Sequence, residues 1–322
     1  LNSGQTETNK LLNQLVPSFN FPQPSLTDGT DSLRPATLRG LAPDQVLVLI
    51  NGKRRHQSAL VNLNGSVGRG STAVDLNTIP PLAIERIEVL RDGAASQYGS
   101  DAIAGVINVQ LKKGMGGRAQ ATFGKYITKM EDVGQVGTVS LTTGLSDNPT
   151  ISYTGEDRKR NDGDTYTFAS NFGLPLGESG YVNLTAEYKD RSPTNRSGPD
   201  IRRNYFAAGD PREANFNRYA HRYGDGVSKD LNFFVNAGYE FSDTAEFYTF
   251  GSYGVRDGNG AGFYRRSSDV RNRDWAASTT TFVPIYADGF LPLIASNIVD
   301  ISAAAGLSGA TGGWDYDLSA VY

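Results

Sequence analysis

Cysteine is absent from this 322-residue chain, and histidine and methionine occur only twice each. Without cysteine there is no disulfide, no thiolate metal site and no thiol nucleophile. Two histidines are too few for a multi-histidine metal centre. No apolar run reaches the roughly 18 residues that a membrane-spanning helix needs. A dominant charge is missing as well: 31 Lys+Arg stand against 34 Asp+Glu, a net charge of −3. With no basic face, nucleic acid is a poor candidate for the main partner. Leu1–Lys10 has neither the basic start nor the apolar core of a signal peptide, so the chain is expected to be cytoplasmic or to have lost that segment. What is present is 37 glycines, 10% aromatic residues and a mean hydropathy of −0.39. That balance points to a polar, β-dominated protein.

Two regions follow different patterns. Residues 1–115 read as mixed α/β. Thr8 is expected to cap a short helix whose Leu11, Leu12, Leu15 and Val16 share a face and which Pro17 stops. Gln45–Ile50 is a compact apolar run ending in Asn51-Gly52, a strong two-residue hairpin signal. Ile84–Arg91 and Ala104–Leu111 read as two further strands. The polar stretch Lys53–Thr78, rich in Asn, Gly and Ser, reads as a long exposed loop.

Residues 116–322 turn to long alternating strands. Tyr181–Asp190 places Val182, Leu184, Ala186 and Tyr188 on one face and Asn183, Thr185, Glu187 and Lys189 on the other. Leu231–Phe241 and Trp314–Tyr322 repeat the design. Such alternation means one face meets an apolar medium and the other meets water. Segments of about ten residues suit tilted strands crossing a bilayer. Pro175–Gly180, Ser242–Thr244 and Ser308–Gly313 read as short turns, whereas Ser192–Ser228 and Gly258–Ile298 are long polar links. Short turns on one side and long loops on the other mark an outer-membrane barrel rather than a soluble sandwich. The pattern predicts about seven strands after residue 117. The last strand pattern also runs to Tyr322 without a finish, so the chain is expected to be part of a longer one.

The first region carries specific motifs: Leu38-Arg39-Gly40, Val46-Leu-Val-Leu-Ile-Asn-Gly52, Ile84-Glu-Arg-Ile-Glu-Val-Leu-Arg91, Tyr98-Gly-Ser100 and Gly105-Val-Ile-Asn108. Together they closely resemble the plug domain of TonB-dependent outer-membrane receptors. The resemblance implies a membrane β-barrel of about 22 antiparallel strands with an N-terminal α/β plug in its lumen. Residues 1–115 would be the plug and 116–322 the first portion of the barrel. It further implies a place in the outer membrane of a Gram-negative bacterium. There a scarce nutrient, such as a ferric siderophore, would be bound at the cell surface and imported with energy delivered by TonB and the inner-membrane ExbB–ExbD complex. The other partners would be the lipid bilayer and the small-molecule ligand. The family's energy-coupling box is not recognisable upstream of Leu11.

By the same resemblance, Arg39 and Arg91 match two plug arginines that pair with barrel glutamates as a latch, through bidentate bonds. Inward-facing candidates within this chain are few, Glu187 and Glu240 among them, so the glutamate partners are expected beyond Tyr322. His56, Gln57, Asn62, Asn64, Arg69 and Ser71 fall in the loop that forms the family's plug apex and are the candidate ligand contacts. Asp225, Asp230, Asp257 and Asp269 lie in or beside the long links, where calcium would be a weak expectation without an EF-hand spacing. The Gly-rich Gly65–Gly70 segment neither follows a strand nor opens a helix, so it is no phosphate loop. No Gly-x-Ser-x-Gly elbow accompanies the histidines. No enzyme, cofactor or metal site is expected. Alternatives are an oligosaccharide or cobalamin receptor of the same family, a passive porin, a surface receptor used for adhesion or signalling, and a soluble β-rich enzyme.

Overall fold

A computed structural model describes residues 8–33, 35–91, 95–141 and 148–322. Residues 1–7, upstream of the helix, and 92–94, between two of the plug motifs, lie outside that description. The first region opens with helix α1 (Thr8–Leu15), strand β1 (Phe19–Asn20), helix α2 (Thr30–Leu33) and strand β2 (Thr37–Leu38). Strands β3 (Val46–Ile50), β4 (Lys53–Arg54), β5 (Ile84–Leu90) and β6 (Gly105–Leu111) form a four-stranded sheet in the order β4-β3-β6-β5. Helix α3 (Ala95–Tyr98) lies between β5 and β6. Strand β3 runs parallel to β6, and β5 antiparallel to it.

The motifs have physical reasons. Asn51 and Gly52 both hold positive φ, 47° and 79°, as the β3–β4 hairpin turn demands. The Asn108 side chain receives the Gly52 N–H at 3.1 Å and donates to Glu88 at 2.9 Å, so it ties the turn to β5. In Leu38-Arg39-Gly40, both Arg39 (58°) and Gly40 (72°) have positive φ, and Leu41 N–H closes the turn on the Leu38 carbonyl at 3.1 Å. Gly105 has φ 142° and leaves no room for a Cβ, which would lie 2.5 Å from the Leu90 carbonyl. Thr8 does not act as the expected cap: its hydroxyl donates to the Ile79 carbonyl at 3.0 Å, fastening α1 to the chain before β5. Of the helix's expected apolar face, Leu12 is buried while Leu15 is exposed.

The second region is one seven-stranded antiparallel sheet in chain order: β7 (Gly116–Ser140), β8 (Thr150–Leu176), β9 (Gly180–Arg191), β10 (Val227–Ser242), β11 (Ala245–Ala261), β12 (Leu293–Thr311) and β13 (Trp314–Val321). The strands run further than the alternation indicated. Strand β8 takes in Pro175, and β11 and β12 shorten the expected Gly258–Ile298 link to residues 262–292.

The register sorts side chains into rows. On one face stand Phe168–Tyr188–Leu231–Val255–Val299, Ser170–Ala186–Phe233–Tyr253–Ile301, Phe172–Leu184–Val235–Gly251–Ala303, Leu174–Val182–Ala237–Thr249–Ala305 and Leu176–Gly180–Tyr239–Phe247–Leu307. The large apolar members of these rows are mostly exposed, Phe168 at 55% and Leu174 at 53% among them. The neighbouring row, Tyr166–Asp190–Lys229–Asp257–Asn297, is charged. Four two-residue steps cover roughly 27 Å along the strand, or about 21 Å after a tilt near 40° and before side-chain width is added. That is the height of the apolar band on a bilayer-crossing barrel. The hydroxyl of Thr249, which stands in this band, donates to the Ala304 carbonyl at 2.9 Å and so leaves no unsatisfied donor there.

The opposite face is polar and buried: Asn183, Thr185, Glu187 and Lys189 on β9, and Asp230, Asn232 and Asn236 on β10. Polar inside and apolar outside inverts the packing of a soluble protein and is the arrangement of a membrane barrel wall. The plug covers this inner face. Phe234, Phe250 and Ala304 of the wall join the plug's own core of Leu12, Phe19, Leu38, Ile50, Ile79 and Ile107.

Candidate functional site

Around that shared apolar centre, polar and charged contacts stitch plug to wall. Asn51, from the β3–β4 turn, donates to Asn236 at 3.1 Å, and Asn236 donates to the Lys112 carbonyl at 2.9 Å. Asn183 donates to the Gly114 carbonyl at 3.2 Å. At one margin Lys53 pairs with Asp317 at 2.7 Å, and Tyr248 donates to the same carboxylate at 2.6 Å.

Two buried charge clusters dominate the seam. Arg55, directly after β4, pairs with Asp300 of β12 and donates to Ser252 of β11 at 2.9 Å. His56 meets the other Asp300 oxygen at 2.8 Å. Burial lowers the Arg55 pKa, and the Asp300 charge opposes that loss. In the second cluster Arg256 of β11 lies between Asp75 of the plug and Asp230 of β10 and pairs with both. All three side chains are at most 7% exposed. Burial pushes the Asp75 carboxyl above its usual range, against the pull of Arg256. Buried ions in such numbers are tolerated only when paired and hydrogen-bonded.

The stretch Lys53–Thr78 is therefore not the plain exposed loop its composition indicates. It contains buried Arg55, Asn62, Asp75 and Leu76. Polar composition alone hides this, because these groups are buried against another polar surface. Asp230 likewise is no loop ligand for calcium: it faces inward and is held by Arg256 and by the Ser228 hydroxyl at 2.6 Å. Among the described residues no cluster of His, Asp and Glu suits a metal ion.

The apex candidates fall into two groups. His56, Gln57 and Ser71 line a polar cavity of about 460 Å³ that also takes in Arg54, Asp44 and Asp101. Asn62, 2% exposed, closes the loop on itself: its N–H donates to the Ser71 carbonyl at 2.9 Å, and its carbonyl receives Gly70 N–H at 2.8 Å. Asn64 and Arg69 are exposed at the tip, and the Asn64 amide donates to Asp28. Arg39 and Arg91 are both exposed, and Arg39 Nη1 donates to the Arg91 carbonyl at 2.8 Å. Glu187 is buried on the inner face, whereas Glu240 lies exposed at its end.

The sequence reading missed Arg55, Asp75, Arg256 and Asp300. A signal for two of them existed: Arg256 and Asp300 stand at inward positions of alternating strands, where a charge inside a barrel needs a partner.

The long polar links between β9 and β10 and between β11 and β12 pack on each other. Residues 192–226 carry a buried ion pair, Arg218 with Glu213 at 2.6 Å, and residues 262–292 are tied to them by the Asn204 amide, which donates to the Asp288 carbonyl at 3.0 Å. Asp200 and Arg202, Asp210 and Arg212, and Asp269 and Arg271 repeat one clip, in which the carboxylate receives both the backbone N–H and the guanidinium of the residue two positions on. His221 stacks on Phe263 at 5.7 Å and accepts the Tyr264 N–H at 3.3 Å, a structural use of the ring.

A plug docked on the polar inner face of a membrane-barrel wall defines the class. Residues 1–106 match the family model described as the TonB-dependent Receptor Plug Domain. The ferrienterobactin receptor of Escherichia coli strain K12 is 29% identical over 233 residues, 66% of this chain and 31% of the relative. The vitamin B12 transporter BtuB of Vibrio cholerae is 38% identical over 103 residues, 32% of this chain and 15% of the relative. In fold, the ferric enterobactin receptor PfeA of Pseudomonas aeruginosa superposes with a TM-score of 0.50 at 14% identity, covering 98% of this chain and 45% of that one. Residues 1–106 thus carry the TonB-dependent receptor plug domain, and the chain as a whole is similar in fold to receptors of that kind. It spans less than a third of the length of the ferrienterobactin receptor it matches.

Proposed function

We propose that this chain is the plug, residues 1–115, and the first part of the barrel, residues 116–322, of an outer-membrane receptor that imports a ferric siderophore. The carrying observation is the plug packed against a wall whose inner face is polar and whose outer face is an apolar band. A plug packed on that inner face would obstruct the lumen of the completed barrel and would have to be displaced for a solute to pass, which favours this reading over a passive porin. The energy for that step is delivered by TonB, driven by ExbB–ExbD in the inner membrane. The siderophore class is favoured over cobalamin because the ferrienterobactin match runs 233 residues, well past the plug, whereas the BtuB match spans 103. Isothermal titration of the full-length receptor against ferric catecholates, ferric citrate and cobalamin tests this. Binding of a ferric chelate is expected, and binding of cobalamin alone would contradict it.

Arg39 and Arg91 fit a latch to glutamates on wall strands other than these seven, held beside each other by the Arg39 bond to the Arg91 carbonyl. The apex loop supplies part of the ligand site through Arg69 and Asn64, while Asn62 pins the loop. Arg69→Ala should then weaken ferric-chelate binding about tenfold, the worth of one charge-assisted hydrogen bond. Titration of the variant beside the parent receptor checks this, and unchanged affinity removes Arg69 from the site.

A further inference from the structure

The two buried clusters on the seam are built differently. In the Arg55 cluster the cation belongs to the plug and the carboxylate to the wall, so plug movement parts them. In the Arg256 cluster the cation belongs to the wall and has one carboxylate on each side of the seam. Its Nη1 reaches Asp75 and the Ser32 carbonyl (3.0 Å), both of the plug, whereas its Nε reaches Asp230 on the neighbouring strand of the wall. The wall half is self-sufficient: Asp230 lies directly across from Arg256 in the β10–β11 register and from Lys189 in the β9–β10 register. The plug half has its own support, because Asp75 accepts the Asn77 N–H at 2.9 Å.

We propose that Asp230 is a holding partner that allows the plug to leave: it keeps Arg256 neutralised on the wall when Asp75 withdraws. While the plug still covers the site and water has not entered, an arginine parted from its last carboxylate is strongly unfavourable. Without Asp230, withdrawal of Asp75 would strand Arg256, and the plug would be held harder. Without Asp75, Arg256 keeps its wall partner and the plug is held less. The two carboxylates on one guanidinium therefore have opposite effects on release, which no additive clamp produces. The inference rests on the import reading only in assuming that the plug moves relative to the wall.

The test is force spectroscopy on the full-length receptor in a bilayer, pulling on the plug from its N-terminal end. Neither TonB nor a cargo is involved, so the result is independent of the import reading. At fixed force, Asp75→Asn should raise the rate of plug extraction about tenfold, and Asp230→Asn should lower it about tenfold. Asp230→Ser, which keeps a hydrogen-bond acceptor beside Arg256, carries the same expectation should Asp230→Asn assemble poorly. Faster extraction in both the Asp75 and Asp230 variants would overturn the proposal, as would no change in either.

Discussion

Arg256→Met is expected to destabilise the docked plug by about 3–5 kcal/mol, the cost of breaking a buried ion cluster by removing one member. The substitution keeps most of the side-chain volume, so packing around β11 is little disturbed. It leaves Asp75 and Asp230 facing each other without a cation, both at most 5% exposed. Asp75 is the weaker member, since burial already favours its protonated form. Plug stability is read from the urea midpoint reported by a label on the plug of the full-length receptor. Arg256→Lys, which keeps the charge but loses the planar fork, should fall between parent and Arg256→Met. A midpoint that does not move in Arg256→Met would show that the cluster contributes nothing to docking.

Val235→Arg should cost about 2–4 kcal/mol of folding into the bilayer, the penalty for arginine near the midplane of a barrel. Val235 stands in the third of five apolar rows, so it lies at mid-depth. Leu231 stands one row inside the charged Lys229 row, and Leu231→Arg should cost no more than about 1 kcal/mol. Folding equilibria of the full-length barrel variants in lipid measure both values. Spin labels add a direct check: Phe233 and Val235 should report lipid, and Asn232 and Asn236 a polar site under the plug. Equal penalties at Val235 and Leu231, or equal aqueous access at all four labels, would remove the band from the membrane.

The wall was legible wherever a strand carries the exposed apolar band on one face. In Tyr181–Asp190 and Leu231–Phe241, an apolar outer face and a polar inner face under the plug require strict alternation. Beyond the band both faces meet water, and the alternation fades. Residues 156–164 of β8, Glu-Asp-Arg-Lys-Arg-Asn-Asp-Gly-Asp, are strand despite having no apolar face, and their pairing with β7 shifts register near Gly134. The plug's strands were legible for a different reason: Asn51-Gly52 and Gly105 occupy backbone geometries that few residues accept. The seam was not legible. Asp75 and Arg256 are 181 residues apart, and Arg55 and Asp300 are 245 apart, so no local pattern joins them. Asp75 also sits in a stretch of Asn, Gly and Ser whose composition signals exposure, although its own carboxylate is buried by the wall.

On the proposed reading, the plug blocks the lumen of the full-length receptor until energy moves it. This central claim is tested most directly by uptake of a radiolabelled ferric siderophore in cells carrying the full-length receptor, with TonB present and with TonB deleted. Saturable uptake that is lost without TonB, while surface binding of the chelate persists, is the predicted result. Uptake that continues unchanged and without saturation in the TonB-deleted cells would contradict it and make the protein a passive pore.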